Sequence, residues 1–337
     1  MRQGNNPAKY GALAYQPERL GIATITYIPF LGGFYQNCWD VFLAHINSVH
    51  AYTQEKFNYL VFDNGSCPEI KAKLLELQQA GKIDWLISSS ENLGKTGALN
   101  WIFASMPNEW ICFADSDMLF RPGWLEASWQ INKNFPNCGM IGAQFIYPDR
   151  VEDKGNTKFR KTQDSRYEFS QYFPEKWMVT EYCRARGIPE ERWENLMNAP
   201  FDRVLDSASG TEALLGGNSH QQYLAKKEVL KKILPLPDLF QLSREEDTYQ
   251  DVKIDQLGYL HLTTTRPYLY HMGNTIEPEI QEEVAKLGQI KPKAEAQVIS
   301  GGLLNRFLLK LSKNAFAQKI MFRLYNKLYA VLSLSRK

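Results

Sequence analysis

The sequence lacks both a long apolar run and a cysteine framework. None of its 337 residues falls in an uncharged apolar stretch of about eighteen, so we expect no membrane-spanning helix. The polar segment 1–17 has no apolar core of the kind that a signal peptide needs. The five cysteines are odd in number and show no C-x-x-C spacing, which argues against a disulfide framework and a zinc site. We therefore expect a cytoplasmic protein in a reducing compartment.

Two common nucleotide-binding motifs are missing as well. Segment 91–100 contains glycines and precedes a helical pattern, but it has neither the four-residue spacer of a Walker A loop nor a G-x-G-x-x-G pattern. The chain also shows no internal repeat and no low-complexity segment. Its composition, 44% hydrophobic and 23% charged, is ordinary for a globular protein. The length suits one large α/β domain with appendages, or two domains.

Acidic residues are absent from the last 37 positions. Segment 301–337 contains eight basic residues, so the net charge of +2 conceals a basic tail on a mildly acidic body. Two amphipathic stretches, about 303–311 and 320–332, predict C-terminal helices with basic polar faces. Such helices can lie on the anionic cytoplasmic face of a membrane, or pack against acidic residues of the body. Nothing else in the sequence supports nucleic-acid binding.

The first half of the chain alternates strand and helix patterns. Apolar runs predict strands at 21–27, 58–63, 83–88, 110–115 and 138–147, with helices at 34–52, 68–80, 96–105 and 122–134 between them. This alternation predicts an α/β fold with a mostly parallel sheet and helices on both faces. Segment 148–208 is polar and aromatic, and we interpret it as an insertion of loops and short helices that shapes an acceptor pocket. A helix at 244–257 and short strands at 259–264 and 267–271 follow.

We divide the chain accordingly into four parts. They are an N-terminal extension (1–19), a nucleotide-binding half (20–147), an acceptor and catalytic half (148–275) that contains the insertion, and the basic helical tail (276–337).

Asp115-Ser-Asp117 is the most informative motif. It follows the apolar run 110–114, so two carboxylates stand at the carboxyl end of a buried strand, where open α/β sheets bind ligands. Hard oxygen ligands suit Mg²⁺ or Mn²⁺, and substrate phosphates usually complete the coordination of such an ion. A simple turn cap is the alternative for an isolated D-x-D motif.

Other polar residues follow neighbouring strands. Thr24, Thr26 and Tyr27 end the first strand, and Asp63-Asn-Gly-Ser66 follows the second, where it suits a nucleoside contact or merely a tight turn. Lys95 stands near the start of a helix, where amide groups and an ammonium group could offset diphosphate charge.

Two acidic residues and one histidine stand farther along the chain. Glu246 and Asp247 open the helix at 244–257, where they favour the helix dipole or supply a general base. His271 ends a short strand and could be a third metal ligand.

This series of motifs resembles the family 2 glycosyltransferases, which have a Rossmann-like GT-A fold. The resemblance covers about residues 20–275 and rests on five motifs in order: 63–66, 92–100, Asp115-Ser-Asp117, 216–218 and Glu246-Asp247. It implies an inverting, metal-dependent transfer of a sugar from a UDP- or GDP-sugar to a glycan or lipid-linked acceptor, as in polysaccharide or glycolipid assembly. The chain departs from the family where Tyr249–Lys253 replaces a recurring Arg, and in the insertion.

The resemblance also implies a role for each motif residue. Donor binding falls to Thr24, Thr26, Tyr27, Asp63, Asn92, Lys95, Asn100 and Asp115. The floor of the acceptor-binding site would be formed by Gly216, Gly217 and Asn218. The ligands of Mn²⁺ or Mg²⁺ are Asp115, Asp117 and His271, and the base is Asp247 with Glu246 beside it.

Two other functions remain open at the level of sequence. A sugar-phosphate nucleotidyltransferase would need a basic phosphate loop after the first strand, and segment 28–33 has no basic residue. A carbohydrate-binding pseudoenzyme has no need of the carboxylates Asp115, Asp117 and Asp247.

Overall fold

A computed structural model of the chain describes residues 15–147, 157–216, 220–237 and 245–287. Its strands are β1 (Leu20–Thr26), β2 (Phe57–Asp63), β3 (Trp85–Ser88), β4 (Trp110–Asp115), β5 (Met118–Phe120), β6 (Cys138–Gly142), β7 (Tyr167–Tyr172), β8 (Phe201–Asp206), β9 (Thr211–Leu215), β10 (Gln222–Lys226), β11 (Leu260–Thr263) and β12 (Leu269–His271). Its helices are α1 (Cys38–Tyr52), α2 (Pro68–Gln79), α3 (Gly94–Ser105), α4 (Trp124–Asn134), α5 (Thr157–Arg160), α6 (Lys176–Ala185), α7 (Trp193–Met197), α8 (Lys227–Lys232), α9 (Glu245–Gln256) and α10 (Pro278–Ala285).

A ten-stranded sheet organises the described residues, in the order β3-β2-β1-β4-β10-β6-β11-β9-β8-β7. Seven of its strands run in one direction, and β7, β9 and β10 run in the other. The mostly parallel α/β sheet predicted from the sequence is therefore confirmed. The predicted C-terminal helices of the tail lie outside the described residues.

Alternate residues of the strands face two separate cores. In β1, Leu20 and Ile22 belong to the core that holds α1, α2 and α4, whereas Ala23 belongs to the core that holds α3, α8 and α9. This alternation follows from the two-residue period of a strand. Both faces of the sheet are therefore covered by helices, as the sequence predicted.

The interpretation of 148–208 as loops and short helices was incomplete, because the segment contains the short helices α5, α6 and α7 but also two strands. The described part of this segment contains β7 and β8, which pair antiparallel and extend the sheet through β9. Residues 168–171 of β7 are exposed because the strand lies at the sheet edge, so its sequence carries little apolar periodicity. The predicted strand 138–147 was also too long, since β6 ends at Gly142.

A two-stranded sheet carries the chain away from the end of β4. Strand β5 begins three residues after β4 ends and pairs antiparallel with β12, in a register that places His271 opposite Met118. This pairing brings β12 beside Asp115-Ser-Asp117. No helix in the described ranges has the length and apolar character to cross a bilayer.

Candidate active site

Lys95 and Asp115 form an ion pair at the carboxyl end of β4. Lys95, in the first turn of α3, places its Nζ 3.1 Å from Asp115 Oδ1 and 3.3 Å from the carbonyl oxygen of His220. The Asp115 amide donates to the Gln221 carbonyl at 2.7 Å, which fixes the strand end against the segment before β10. Burial raises the pKa of Asp115, Lys95 lowers it, and the like charge of Asp117 raises it further; the net shift is upward.

Asp117 lies beside His271. His271 Nε2 is 3.2 Å from Asp117 Oδ2, and Nδ1 of the same ring is 3.2 Å from the carbonyl oxygen of Ala185. The Met272 amide also donates to the Asp117 carbonyl oxygen, at 2.9 Å. Burial opposes protonation of His271, but the hydrogen bond and the charge of Asp117 outweigh it and raise the pKa of the imidazole.

These residues fit a divalent cation. Asp117 Oδ1 is buried and has no hydrogen-bond partner among the described residues, so one hard oxygen ligand is left without a donor. The Ala185 carbonyl holds the Nδ1 side of His271, which leaves Nε2 as the ring nitrogen directed at Asp117. In the described part of the chain, however, no three His, Cys, Asp or Glu side chains are arranged around one point as metal ligands. Asp115 is held by Lys95, so the three-residue ligand set stays a prediction.

Arg186 also reaches this cluster, and sequence analysis missed it. Its Nη2 donates to Gln221 Oε1 at 2.6 Å, and its guanidinium carbon lies 4.4 Å from the centre of the Tyr182 ring. It follows α6 inside the insertion, away from any apolar strand, so no strand-end signal marks it.

The residues predicted to contact the nucleoside are placed at the ends of β1 and β2. Asp63 is fully buried; its Oδ1 accepts the amide of Ser66 at 2.9 Å and its Oδ2 accepts the hydroxyl of Ser88 at 2.6 Å. Thr24 Oγ1 donates to the Ala114 carbonyl, inside the sheet. Thr26 is buried too, and its carbonyl oxygen accepts the Asn64 amide at 2.9 Å. The structure therefore shows the turn expected for segment 63–66, and the nucleoside role stays a prediction.

Tyr27 is the most open of the predicted nucleoside contacts on β1. Its ring is half-buried and meets Tyr35 edge-on, with centroids 6.0 Å apart.

Asn92 and Asn100 have backbone partners. Asn92 Oδ1 accepts the Gly94 amide at 2.8 Å at the beginning of α3. Asn100 donates to the Leu236 carbonyl and accepts the Leu236 amide, at 3.0 and 2.7 Å. These bonds use the amide of Asn100 to hold the chain after α8.

The predicted base and acceptor residues are described only in part. Helix α9 carries Glu246 and Asp247, but their side chains lie outside the described residues. One turn later, Asp251 Oδ1 lies 3.1 Å from His220 Nε2 and 3.3 Å from His261 Nδ1, which ties α9 to the ends of β10 and β11.

Of the predicted acceptor floor, Gly217 and Asn218 lie outside the described residues. The amide of Gly216 donates to the His261 carbonyl at 2.9 Å, and its own carbonyl accepts the Thr263 hydroxyl at 2.9 Å.

A cleft of about 700 Å³ between α6 and α10 is a separate feature. Arg121 is one of its lining residues and is held by Glu181 and Glu283 at 2.7 and 2.8 Å. Tyr270 lines this cleft, whereas the next residue, His271, contacts Asp117. The cleft therefore lies apart from the carboxylates at the end of β4.

Comparison with known proteins gives a family match and distant structural likenesses. The family model described as Glycosyl transferase family 2 matches residues 34–186. A search of curated proteins finds no match to the chain.

Three solved structures are similar to this chain. S. aureus TarS 1-349 is 14% identical over 80% of this chain and 64% of its own, with a TM-score of 0.43. The mannosyltransferase PcManGT from Pyrobaculum calidifontis, in complex with GDP-Man and Mn²⁺, is 15% identical over 75% of this chain and 56% of its own, with a TM-score of 0.41. GalNAc-T7 with UDP, GalNAc and Mn²⁺ is 12% identical over 76% of this chain and 43% of its own, with a TM-score of 0.46.

This chain thus spans less than two thirds of the length of each of these structures. The match over residues 34–186 identifies this part of the chain as a domain of glycosyl transferase family 2, the family that its motifs resemble.

Proposed function

We propose that this chain transfers a sugar from a nucleoside-diphosphate donor to an acceptor hydroxyl, with inversion and with the help of a divalent cation. One observation carries the proposal: Asp117 with His271, and Asp115 with Lys95, meet at the carboxyl end of β4, and Lys95, Asp115 and Asp117 lie within the residues that the family model matches. Carboxylates, an imidazole and an ammonium group in one place suit a cation together with the phosphates that it binds.

Each residue of the site has a defined part in the proposed reaction. Asp117 and His271, with Asp115 beside them, would hold Mn²⁺ or Mg²⁺, which when bound neutralises charge on the leaving nucleoside diphosphate. Lys95 adds an ammonium group on the α3 side. The ends of β1 and β2 would contact the nucleoside.

The acceptor hydroxyl is activated from α9. Asp247, with Glu246 beside it, accepts the hydroxyl proton while the acceptor oxygen bonds to the anomeric carbon. The bond between that carbon and the phosphate oxygen breaks, and the configuration inverts. Asp251 keeps α9 in place through its contacts with His220 and His261.

The proposed partners are a UDP- or GDP-sugar and a glycan or lipid-linked acceptor. The molecules bound in the structures of PcManGT (GDP-Man) and of GalNAc-T7 (UDP and GalNAc) are compatible with that choice. A peripheral contact of the basic segment 301–337 with the cytoplasmic face of a membrane would suit a lipid-linked acceptor.

A panel of UDP- and GDP-sugars tests the proposal. We expect hydrolysis or transfer of one of them with Mn²⁺ or Mg²⁺, and Mn²⁺-dependent binding of UDP or GDP by calorimetry. Asp117→Ala is expected to abolish that binding, because it removes the carboxylate beside His271. Glu126→Ala, on the exposed side of α4, is the matched control and should bind as the parent does. Equal nucleotide titrations for Asp117→Ala and the control would reject the site.

A further inference from the structure

We propose that Arg186 binds a phosphoryl oxygen of the substrate in this site. The inference rests on the proposed function and adds to it a residue that no motif marks. It starts from the partners of the guanidinium group. Arg186 Nη1 is buried and has no hydrogen-bond partner among the described residues, and Nη2 donates to a neutral amide oxygen, Oε1 of Gln221.

Two other arginines of the described residues show the more usual pairing with carboxylates. Arg121 is held by Glu181 and Glu283, and Arg166 donates to both carboxylate oxygens of Asp206, at 2.7 and 2.8 Å. The charge of Arg186 instead faces the Tyr182 ring and the Gln221 amide. Burial lowers the pKa of Arg186, an effect that Tyr182 and Asp117 oppose. A buried guanidinium with an unmet donor is a costly arrangement, which an anionic ligand would relieve.

The position of Arg186 places that ligand at the end of β4. Gln221, its partner, accepts the amide of Asp115 through its carbonyl oxygen. Ala185, the residue before Arg186, accepts a hydrogen bond from Nδ1 of His271 through its carbonyl oxygen. Arg186 therefore lies on the β10 side of the carboxylates, whereas Lys95 lies on the α3 side.

Two buried atoms without a hydrogen-bond partner in the described part of the chain indicate the chemistry of the ligand. Among the described residues, neither Asp117 Oδ1 nor Arg186 Nη1 has a hydrogen-bond partner, and the charge of Asp117 acts on Arg186. A phosphoryl group bound together with a cation supplies a partner for each atom. The planar fork of a guanidinium suits the paired oxygens of a phosphate better than an ammonium group does.

A purely structural role would have Arg186 hold Tyr182 and Gln221 in place. The two roles are separated by ligands that differ only in phosphate. We would titrate UDP and uridine, each with Mn²⁺, into the full chain, Arg186→Gln and Arg186→Lys. Arg184→Gln, an exposed position two residues earlier in α6, is the matched control.

We expect Arg186→Gln to weaken UDP binding about 10- to 100-fold and to leave uridine binding unchanged. Arg186→Lys keeps the charge and is expected to lose about three- to tenfold. It also keeps the proposal testable where the glutamine variant does not fold, as thermal unfolding would show.

The phosphoryl oxygen could belong to the donor diphosphate or to a phosphate-bearing acceptor. Loss of UDP affinity assigns it to the donor. Unchanged UDP affinity, with loss of inorganic phosphate binding to the UDP-loaded protein, assigns it to the acceptor. Unchanged binding of both phosphate ligands overturns the inference, and so does an equal loss of UDP and uridine binding. Failure of the parent chain to bind any nucleotide would instead count against the proposed function, while inorganic phosphate would still test Arg186.

Discussion

Acidification is expected to destabilise this protein through His45. The side chain is fully buried in α1, and its Nδ1 lies 2.7 Å from the carbonyl oxygen of Met118, the residue after Asp117. An N–H at Nδ1 therefore donates to Met118, and Nε2 is buried with no partner in the described part of the chain. Burial lowers the pKa of His45 to about 4 from its ordinary value of 6.5.

The sign of the effect follows from this shift. Below pH 6.5 the unfolded chain takes up a proton at this position before the folded chain does, so stability falls as the pH decreases. The contribution is complete above pH 6.5 and is lost progressively down to about pH 4. The full difference corresponds to about 3 kcal/mol, of which about 2 kcal/mol is lost between pH 7.5 and pH 5.0.

Urea unfolding of the parent and of His45→Asn at these two pH values measures the effect. Asn offers an amide donor near the place of Nδ1, so it retains the bond to Met118 without a titrating group. The cavity that it leaves lowers stability at both pH values alike. We expect the parent to lose about 2 kcal/mol more than the variant on acidification. Equal losses would refute the assignment, since other groups such as His50 and His271 titrate in both proteins.

Three further predictions concern the base, the sheet and the tail. Asp247→Asn should lower turnover by about 10²- to 10⁴-fold with donor affinity nearly unchanged by calorimetry; collapse of donor affinity would contradict its role as a base. Gly21→Ala should destabilise the fold by about 1–3 kcal/mol in urea unfolding, because a Cβ there would lie 2.5 Å from Asn108 Oδ1. Gly32→Ala, where the nearest atom is 4.0 Å away, should be nearly neutral by comparison. Removal of 301–337 should release the protein from anionic liposomes, and equal binding by the truncated chain would reject the membrane hypothesis.

The carboxylates at the end of β4 could be placed from the sequence because their position depends on local pattern. Residues 110–114 are continuously apolar and buried on both faces, so the strand and its end are visible in the sequence. The carboxyl ends of parallel strands share one edge of the sheet, which then locates Asp115 and Asp117. The position of His271 at a strand end suggested a metal ligand, but its contact with Asp117 depends on the pairing of β5 with β12, which no local pattern shows.

The three-residue strand β5 could not be found in this way, although its partner β12 lies within the strand predicted at 267–271. Residues 118–120 become β5 because they meet β12, and they are too few for an apolar alternation to stand out. The exposed edge strand β7 escaped prediction for the related reason that its residues contact little of the core.

For the residues that the resemblance assigns to donor binding, the local turn pattern predicted the observed hydrogen bonds better than the resemblance did. The Asn-Gly turn after β2 is present; Oδ1 of Asp63 accepts the Ser66 amide within it, and Oδ2 accepts the hydroxyl of Ser88 at the end of β3. Asn100 likewise uses its amide on the backbone of Leu236. A family resemblance assigns residues to a binding site. It does not show whether the polar atoms of their side chains already form hydrogen bonds within the protein, as those of Asp63 and Asn100 do.

The charges of the site explain why a cation and a diphosphate belong together. Among the described residues of the site, the positive charges of Lys95 and Arg186 equal the negative charges of Asp115 and Asp117. The net charge of the site is therefore zero when His271 is neutral. A balanced site has little Coulombic attraction for a diphosphate. A divalent cation held by Asp117 and His271 gives the site an excess of positive charge. This excess offsets the negative charge of a nucleoside diphosphate. The dependence of nucleotide binding on Mn²⁺ and on Arg186 should therefore be cooperative: the loss caused by Arg186→Gln should shrink when Mn²⁺ is omitted.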